Sequence, residues 1–357
     1  MNYVLNNIFK IFSKKKEVSS KWHSLTIVKL TKISNDTTVV TFGIPEDQKE
    51  TFEFIAGQYL TLAVELQGKE ERRSYSICSG VNEDLSVAVK KVKDGKVSTY
   101  LNDSAKIGDQ LEVMAPEGNF TISNEKTSVV FAAGSGITPI ISILKNGGAG
   151  LNTHLFYGNK TSQDILFKEY LDGQAQVIST HYLSQEQGTG HKAGRLDRTA
   201  IMHEIKQNLD LLKADVFLLC GPEEMIKDAL DALQFFGVSK EKIKYELFTT
   251  PVLLATKEAE SDFNGESKVT VTLDHETFSF NMKSKGKTIL ELVENQGYDA
   301  PFSCRGGVCC SCKAKVTEGK AVMKMNYSLS DKEVEEGYIL TCQATPASAE
   351  ITISYDL

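Results

Sequence analysis

Four cysteines near the C-terminus constrain the fold of this chain most strongly: Cys304, Cys309, Cys312 and Cys342. Their spacing, Cys-x4-Cys-x2-Cys with a fourth cysteine further along, is the plant-type arrangement that holds a [2Fe–2S] cluster. The intervening Gly306 and Gly307 permit backbone conformations that turn peptide N–H groups toward sulfur. The spacing therefore predicts a loop around one iron–sulfur cluster, with these four thiolates as its metal ligands.

Zinc is the alternative occupant, because Cys309-x2-Cys312 is also a zinc-knuckle spacing. Zinc sites usually pair their ligands at matched spacings, whereas here three cysteines share one loop and Cys342 stands apart. This asymmetry favours iron–sulfur. Cys310 lies between two ligands, and we interpret it, like Cys78 and Cys220, as a free thiol.

The composition limits the class of protein. A chain of 357 residues predicts two or three domains. A net charge of −7 argues against nucleic acid as a partner, because phosphate binding needs clustered Lys and Arg. Seven cysteines in this length do not form a secreted disulfide framework, which predicts a reducing cytoplasm. No apolar stretch approaches the roughly 20 residues that span a bilayer.

The sequence predicts three folded units between short connecting segments. Residues 23–124 show short alternating strands typical of an antiparallel β-barrel, and residues 125–250 show buried strands that alternate with helices, as in a parallel α/β sheet. Residues 251–266 are polar and acidic and predict a linker, and residues 267–357 carry the cysteines. Residues 1–22 form an N-terminal arm, either frayed, which we favour, or an amphipathic helix that touches a membrane or partner.

A second motif, Arg73-Ser74-Tyr75-Ser76, ends a predicted strand of the barrel. The Arg73 guanidinium suits a phosphate, Tyr75 can stack on a flat ring, and Ser76 adds a small polar contact. Ser98 and Thr99 follow Gly95 at a predicted helix start, where backbone amides bind anions. Ordinary strand residues are the alternative for each motif alone, but together they suit a flavin with a pyrophosphate tail.

A third motif, Gly134-Ser135-Gly136-Ile137-Thr138-Pro139, follows a buried strand and begins a helix. Small residues there let a nucleotide approach the helix, although a bare tight turn explains the motif equally well. Cys220-Gly221 ends another strand of the same predicted sheet. Because ligands bind at the C-terminal ends of strands in α/β folds, the two segments can meet across one crevice.

With these motifs in this order, residues 23 to 357 resemble the ferredoxin–NADP reductase superfamily with a plant-type ferredoxin domain at the C-terminus. The stretches Glu71–Cys78, Ala132–Pro139 and Tyr157-Gly158-Asn159 and the ending Tyr355-Asp356 are similar to oxygenase reductases, in particular to the subfamily that serves phenylacetyl-CoA epoxidase. The resemblance implies a six-stranded flavin barrel, a nicotinamide-binding α/β domain and a β-grasp [2Fe–2S] ferredoxin domain.

The resemblance also implies roles by position. Arg73, Ser98 and Thr99 would bind the FAD pyrophosphate, and Tyr75 and Ser76 would contact the flavin ring, with Ser74 in the same cofactor-binding stretch. Gly134, Gly136 and Thr138 would line the nicotinamide nucleotide, with Cys220 and Gly221 near the path of the hydride and Glu246 and Phe248 close to the flavin. No acid–base pair or nucleophile is expected, because the cofactors supply the chemistry.

The nucleotide preference depends on one departure from relatives that use NADPH. Those relatives often carry an Arg after the Ser of the strand that meets the adenosine ribose, whereas Ser184 is followed here by Gln185. Lys160 and Arg195 could replace that cation, so NADPH remains the prediction, with NADH as the alternative.

The cofactor order predicts an NAD(P)H-dependent reductase that passes electrons through FAD and a [2Fe–2S] cluster to an oxygenase, and the resemblance makes phenylacetyl-CoA epoxidase the expected partner. A reductase of another diiron or Rieske oxygenase is the near alternative. A redox-sensing iron–sulfur flavoprotein is the alternative from another class, although the sequence offers no output domain for it.

Overall fold

The computed structural model describes residues 21–147, 150–254 and 261–356. The predicted N-terminal arm lies outside these ranges except for its last two residues, as do residues 255–260 of the predicted linker. Within the described residues, no helix is both long and apolar enough to cross a bilayer.

The first domain is an antiparallel sheet of six strands, as the alternating residues predict. The strands are β1 (Trp22–Ser34), β2 (Thr37–Gly43), β3 (Tyr59–Leu66), β4 (Lys69–Ser76), β5 (Ser86–Lys90) and β6 (Gln110–Met114), with helix α1 (Lys96–Asp103). Their order is β4-β3-β6-β1-β2-β5. On β3, Leu60 and Leu62 point into one hydrophobic core, and the residues between and beside them are buried as well, so both faces of this strand are covered.

The second domain is a wholly parallel sheet with helices on both faces. Its strands are β7 (Thr127–Ala133), β8 (Asn152–Asn159), β9 (Val177–Leu183), β10 (Lys192–Ala193), β11 (Val216–Cys220) and β12 (Ile243–Glu246). Its helices are α2 (Ile137–Gly147), α3 (Lys168–Asp172), α4 (Arg198–Gln207) and α5 (Glu223–Phe235).

The order of this second sheet is β10-β9-β8-β7-β11-β12, with the predicted apolar run in central β7. Val130 packs with α2 and α3 on one face, and Phe131 packs with α4 and α5 on the other. Because β7 is buried on both faces, its sequence is continuously apolar from residue 129 to residue 133.

The third domain is a mixed sheet that carries the cysteine loop. Its strands are β13 (Glu266–Leu273), β14 (Glu276–Lys283), β15 (Lys313–Glu318), β16 (Ala321–Met323), β17 (Tyr338–Leu340), β18 (Ala344–Pro346) and β19 (Glu350–Ser354), with helices α6 (Ile289–Asn295) and α7 (Asp331–Glu335). The main sheet has the order β14-β13-β19-β15-β17, and β16 pairs with β18.

The third domain begins with a β-hairpin that is followed by a capped helix. Strands β13 and β14 pair in antiparallel fashion, and α6 begins after Thr288, whose side chain forms a capping box with Glu291. The helix buries Ile289, Leu290 and Val293 completely. The cysteine loop follows this helix and lies between it and β15.

Short 3-10 helices complete the described elements. They are Glu46–Gln48, Gly134–Gly136, Ser162–Asp164, Leu209–Lys213 and Lys240–Lys242. The Gly134–Gly136 turn joins β7 directly to α2, so the predicted strand-to-helix junction is present.

Candidate functional site

The cysteine loop is compact, and its backbone folds around two sulfurs. The thiol sulfurs of Cys304 and Cys309 lie 3.1 Å apart, and the Gly306 amide donates to the Cys304 sulfur at 3.4 Å. Arg305 and Gly307 adopt the left-handed conformation, with φ of +53° and +74°. These two residues turn the chain so that amides face sulfur, which is the arrangement that stabilises thiolate ligands.

Cys342 is brought to this loop by the neighbouring Thr341. The amide and the hydroxyl of Thr341 both donate to the Cys312 carbonyl, at 3.2 and 2.9 Å. Cys309, Cys312 and Cys342 are all buried, and only Cys304 is partly exposed. The described fold therefore brings the predicted ligands together as two pairs of thiols, Cys304 with Cys309 and Cys312 with Cys342.

The electrostatics of the loop favour thiolate at Cys304. A hydrogen bond from the Cys309 thiol lowers the pKa of Cys304 to about 6, and the Gly306 and Val308 amides act in the same direction, against burial. Four thiols with inward-facing amides are the donor set that a [2Fe–2S] cluster requires, so the residues fit that group. Cys310 differs from them, because its thiol donates to the Ser328 carbonyl at 3.7 Å.

The predicted pyrophosphate residues gather at the edge of the first domain. The Arg73 guanidinium donates to the Glu71 carboxylate at 3.3 Å, and Lys96, the first residue of α1, pairs with the same carboxylate. Arg73 and Lys96 are about half exposed, with side chains 51% and 58% accessible. Two accessible cations therefore flank the start of α1, which fits an anionic diphosphate.

Ser98 and Thr99 occupy the first turn of α1, but the Ser98 hydroxyl faces its own chain. It donates to the Gly95 carbonyl and accepts from the Val92 amide, both at 3.2 Å, and the residue is buried. Its amide remains in the first turn of the helix, where amides lack intrahelical partners. A phosphate contact from the Ser98 side chain is therefore less favoured than one from Lys96, which the sequence motif did not single out.

The residues of the Arg73–Ser76 motif divide between two sides of β4. Tyr75 packs against the core of the first domain, and its burial raises the phenol pKa. Ser74 and Ser76 face the other domains: the Ser74 hydroxyl bonds that of Ser303 at 2.9 Å, and the Ser76 hydroxyl donates to Glu246 at 3.2 Å. The predicted flavin contact of Ser74 thus competes with a contact to the cysteine loop.

The two predicted nucleotide segments meet, as their positions in the parallel sheet require. A Cβ placed on Gly136 would lie 2.0 Å from the Cys220 carbonyl oxygen, so only glycine permits this approach. Ala132 and Cys220 pair directly across β7 and β11, which puts Gly134 and Gly221 at the same sheet edge. Thr138 lies in the first turn of α2, where its hydroxyl donates to the Ser135 carbonyl at 3.0 Å.

Asn159 offers an unused polar group beside this crevice. It ends β8, next to β7, and both polar atoms of its amide are buried without a hydrogen-bond partner in the described chain. A buried amide without partners is costly unless a ligand supplies them. This orphaned group fits a bound nucleotide. In the sequence, Asn159 is singled out only by its place in the Tyr157-Gly158-Asn159 stretch, which is similar to oxygenase reductases.

Glu246 lies where the first two domains meet. Cys220 and Glu246 are paired residues of β11 and β12, and Glu246 accepts from Ser76. Burial raises the pKa of Glu246 to about 8, opposed by the Ser76 hydrogen bond, and burial also raises the pKa of the Cys220 thiol. Phe248 follows Glu246 by two residues and is 44% exposed. Ser76, Cys220 and Glu246 thus form one polar cluster at the mouth of the crevice.

Of the residues considered for NADPH selection, Lys160, Ser184 and Gln185 lie together, whereas Arg195 pairs with Glu224. The Ser184 amide donates to the Asn159 carbonyl at 3.0 Å, so Ser184 lies next to the crevice. The amide of Gln185 donates to the Lys160 carbonyl at 2.8 Å, which places Lys160 beside the same loop. Arg195 is 79% exposed and pairs with Glu224 at 3.4 Å. Of the two cations, Lys160 is the one whose backbone is bonded to this loop.

Three domain families match the chain in the order of these sites. Residues 24–122 match the oxidoreductase FAD-binding domain, residues 130–231 the oxidoreductase NAD-binding domain, and residues 271–347 the 2Fe-2S iron-sulfur cluster binding domain. The cofactor sites described above fall inside the matching domains, except for Glu246 and Phe248, which lie between the second and the third.

Characterised relatives extend over nearly the whole chain. One component of 1,2-phenylacetyl-CoA epoxidase from Escherichia coli is 34% identical over 352 residues, which cover 94% of this chain and 98% of the relative. The ferredoxin reductase component of 3-ketosteroid-9-alpha-monooxygenase from Mycolicibacterium smegmatis is 31% identical, with coverage of 93% and 96%. The glycine betaine monooxygenase reductase subunit of Pseudomonas aeruginosa is 30% identical, with coverage of 92% and 95%.

Solved structures agree on the arrangement of the domains. Phthalate dioxygenase reductase aligns with a TM-score of 0.57 at 23% identity, over 93% of this chain and 98% of that protein. An intact type IV self-sufficient cytochrome P450 monooxygenase aligns with a TM-score of 0.70 at 20% identity, over 93% of this chain and 41% of that one. At these identities the likeness concerns the fold.

Proposed function

The chain belongs to the family of oxygenase reductases that combine an FAD-binding, an NAD-binding and a 2Fe-2S domain, and from this membership we propose that it supplies electrons to phenylacetyl-CoA epoxidase. It is an oxidoreductase that uses FAD, a [2Fe–2S] cluster and a pyridine nucleotide. When bound, the flavin takes up two electrons together and the cluster carries them singly. The work of the protein is to bind, orient and separate these groups.

The observation that carries the proposal is the similarity to the epoxidase component along the whole length of both chains. The identity exceeds that of the ketosteroid and glycine betaine reductases by only three to four percentage points, 34% against 31% and 30%. A reductase for another diiron or Rieske oxygenase is therefore the second candidate. Identification of the partner requires a measurement with the oxygenase itself.

The proposed residue roles are supported by the positions of the side chains. Arg73 and Lys96 hold the FAD diphosphate at the start of α1, and Tyr75 and Ser76 contact the flavin ring. Thr138, Gly136 and Asn159 line the nucleotide. Burial beside Ser76 and Cys220 raises the pKa of Glu246 to about 8, which favours its protonated form at the mouth of the crevice.

NADPH is the proposed reductant, with Lys160 as the cation for its 2′-phosphate. Lys160 is supported by its position in the loop that follows β8, next to Ser184 and Gln185. Steady-state oxidation of NADPH and of NADH, with cytochrome c as acceptor, tests the choice in wild type and in Lys160→Met. The expected result is a higher kcat/KM for NADPH that falls in the variant, with NADH unchanged. Equal values for both nucleotides would contradict it.

The partner is tested by coupled turnover. The reductase, NADPH and the oxygenase components of phenylacetyl-CoA epoxidase are combined with phenylacetyl-CoA, and epoxide formation is compared with NADPH consumed. Coupled product formation supports the proposal, whereas cluster reduction by NADPH without transfer to this oxygenase favours the second candidate. Absence of NADPH turnover with any acceptor would favour a redox sensor instead.

A cytoplasmic location is proposed from the cysteine usage. The described cysteines are all free thiols, four of them gathered as predicted cluster ligands that need reducing surroundings. Fractionation of cells, followed by detection of the protein and its NADPH-dependent activity, tests this location.

A further inference from the structure

Strand β4 presents its residues alternately to two parts of the molecule. Glu71, Arg73 and Tyr75 face α1 and the core of the first domain, where the flavin residues are proposed. Arg72 and Ser74 face outward and bond residues of the third domain, while Ser76, at the end of the strand, bonds Glu246 of the second domain beside the proposed flavin ring. This alternation is the ordinary geometry of a strand, but here both faces are occupied by functional parts.

Arg72 is the centre of the outward face. Its guanidinium donates to the Asp299 carboxylate at 2.7 Å, to the Ala300 carbonyl at 3.1 Å and to the Glu70 carboxylate at 2.6 Å. The guanidinium carbon also lies 4.8 Å from the Trp22 ring centre and 4.3 Å from that of Phe302. Only 3% of Arg72 is exposed, so it is a buried cation whose hydrogen bonds and ring contacts compensate for lost water.

The segment that Arg72 holds leads directly into the first predicted cluster ligand. The segment that contains Asp299, Ala300 and Phe302 ends two residues before Cys304. The Arg305 guanidinium also packs on the Phe302 ring, with its carbon 3.8 Å from the ring centre. Arg72 therefore acts on the cysteine loop through the residues just before it, without contact to a ligand sulfur.

Neighbouring residues of the same sheet face support the rest of the loop. The Thr61 and Ser311 hydroxyls are bonded at 2.8 Å, and the Cys310 amide donates to the Tyr59 hydroxyl at 2.6 Å. Ser311 and Cys310 lie between the predicted ligands Cys309 and Cys312. Contacts at both ends of the loop thus fix its position against β3 and β4.

We propose that Arg72 is a positioning residue that seats the cysteine loop on the outer face of β4 and so fixes the path of electrons from the flavin to the cluster. This inference rests on the proposed function as a reductase. Removal of the guanidinium takes the paired cation away from the Asp299 carboxylate, whose side chain is only 10% accessible, and loss of a cation from a largely buried ion pair forces local rearrangement. The cysteine loop then shifts away from β4, while Glu71, Arg73 and Tyr75 on the flavin face of the strand stay in place.

The test separates the two electron steps in the holoenzyme. Stopped-flow absorbance follows flavin reduction by NADPH, and freeze-quench paramagnetic resonance follows cluster reduction, in wild type and in Arg72→Met. Flavin reduction should stay within about twofold of wild type, while cluster reduction slows by about tenfold or more, the rate equivalent of roughly 1.4 kcal/mol. Hydrogen–deuterium exchange of peptides from residues 299–312 should become faster, and this readout does not depend on turnover.

Two further variants complete the design. Lys91→Met removes the cation of an exposed ion pair with Asp103 in the same domain and should leave both steps and the exchange unchanged. Asp299→Asn removes the charge from the other side of the buried pair, and it should reproduce the selective slowing even if Arg72→Met does not fold.

Three results would overturn the inference. They are cluster reduction at the wild-type rate in Arg72→Met or Asp299→Asn, equal slowing of both steps, and unchanged exchange of residues 299–312. Failure of the proposed function is distinguishable, because wild type itself would then show no reduction by NADPH, while the exchange experiment would still report on Arg72.

Discussion

The hydroxyl of Ser76 donates to the carboxyl of Glu246 across 3.2 Å and joins the flavin-binding domain to the nucleotide-binding domain. Ser76 ends β4 and Glu246 ends β12, so the contact links two strand ends that are 170 residues apart. Burial raises the pKa of this carboxyl from 4.5 to about 8, with the Ser76 hydrogen bond opposing the shift. The protonation of one buried residue is therefore coupled to the stability of the junction.

Replacement of Glu246 by Gln should change the pH dependence of stability. The folded protein holds a proton on Glu246 that the unfolded chain releases above pH 4.5, so wild type loses stability as the pH rises from there through about 8. Glu246→Gln cannot ionise and should escape this loss, which amounts to about 2–4 kcal/mol. Denaturant unfolding of both proteins at pH 5, 7 and 9 measures the difference. Parallel pH profiles would show that Glu246 is not buried in this way.

Substitution of neighbouring cysteines should separate ligands from bystanders. Cys310→Ser should retain the cluster, because the Cys310 thiol faces the Ser328 carbonyl and not the other sulfurs. Cys309→Ser should lose it, because this sulfur lies 3.1 Å from Cys304. Iron and acid-labile sulfide content of the purified proteins decides between them. Loss of iron from Cys310→Ser with retention in Cys309→Ser would show that Cys310, and not Cys309, is the cluster ligand.

Removal of the Arg73 side-chain charge should weaken FAD binding without loss of the fold. Arg73 is 51% exposed, so its contribution is reduced by solvent, and Arg73→Met should cost about 1–2 kcal/mol, or roughly a 5- to 30-fold rise in Kd. Titration of FAD into flavin-depleted protein measures this rise. Lys96→Met should also raise the Kd for FAD, though by less, and Lys91→Met should leave it unchanged. An unchanged Kd for FAD in Arg73→Met would show that Arg73 does not bind the pyrophosphate.

Two glycines of the nucleotide turn should respond differently to alanine. A Cβ on Gly136 would lie 2.0 Å from the Cys220 carbonyl oxygen, so Gly136→Ala must separate β7 from β11 locally. This variant should lower the free energy of unfolding by about 1–3 kcal/mol and should also weaken nucleotide binding. A Cβ on Gly134 meets nothing within 4 Å, and only its φ of +54° opposes alanine, at about 1–2 kcal/mol. Thermal unfolding and nucleotide titration compare them. A larger defect in Gly134→Ala would contradict the close approach.

The sequence was most informative where one local segment holds the whole signal. The Cys304–Cys312 spacing, the apolar run of β7 and the glycine turn after it each predict a local structure without reference to the rest of the chain. The domain order and the fold class were predictable for the same reason. The meeting of Gly136 with Cys220 was also predictable, because parallel strands present their C-terminal ends at one edge.

Contacts between domains were not predictable, because they depend on residues far apart in the chain. Arg72 and Asp299 are 227 positions apart, and although Arg72 lies in the Glu71–Cys78 stretch, no local pattern pairs it with Asp299. Ser74 was assigned to the flavin as part of Arg73–Ser76, yet its hydroxyl bonds Ser303. The alternation of β4 reveals which residues share a face, but only the fold shows that the third domain covers the outer one. The raised pKa of Glu246 likewise arises from burial that no local pattern encodes.

The most direct test of the central claim is anaerobic titration of the purified holoprotein with NADPH, followed by visible absorbance and low-temperature paramagnetic resonance. The account predicts that flavin absorbance falls and that the signal of a one-electron-reduced [2Fe–2S] cluster then appears. A protein that contains zinc in place of iron, or one whose flavin is reduced while no such signal develops even with dithionite, would contradict it.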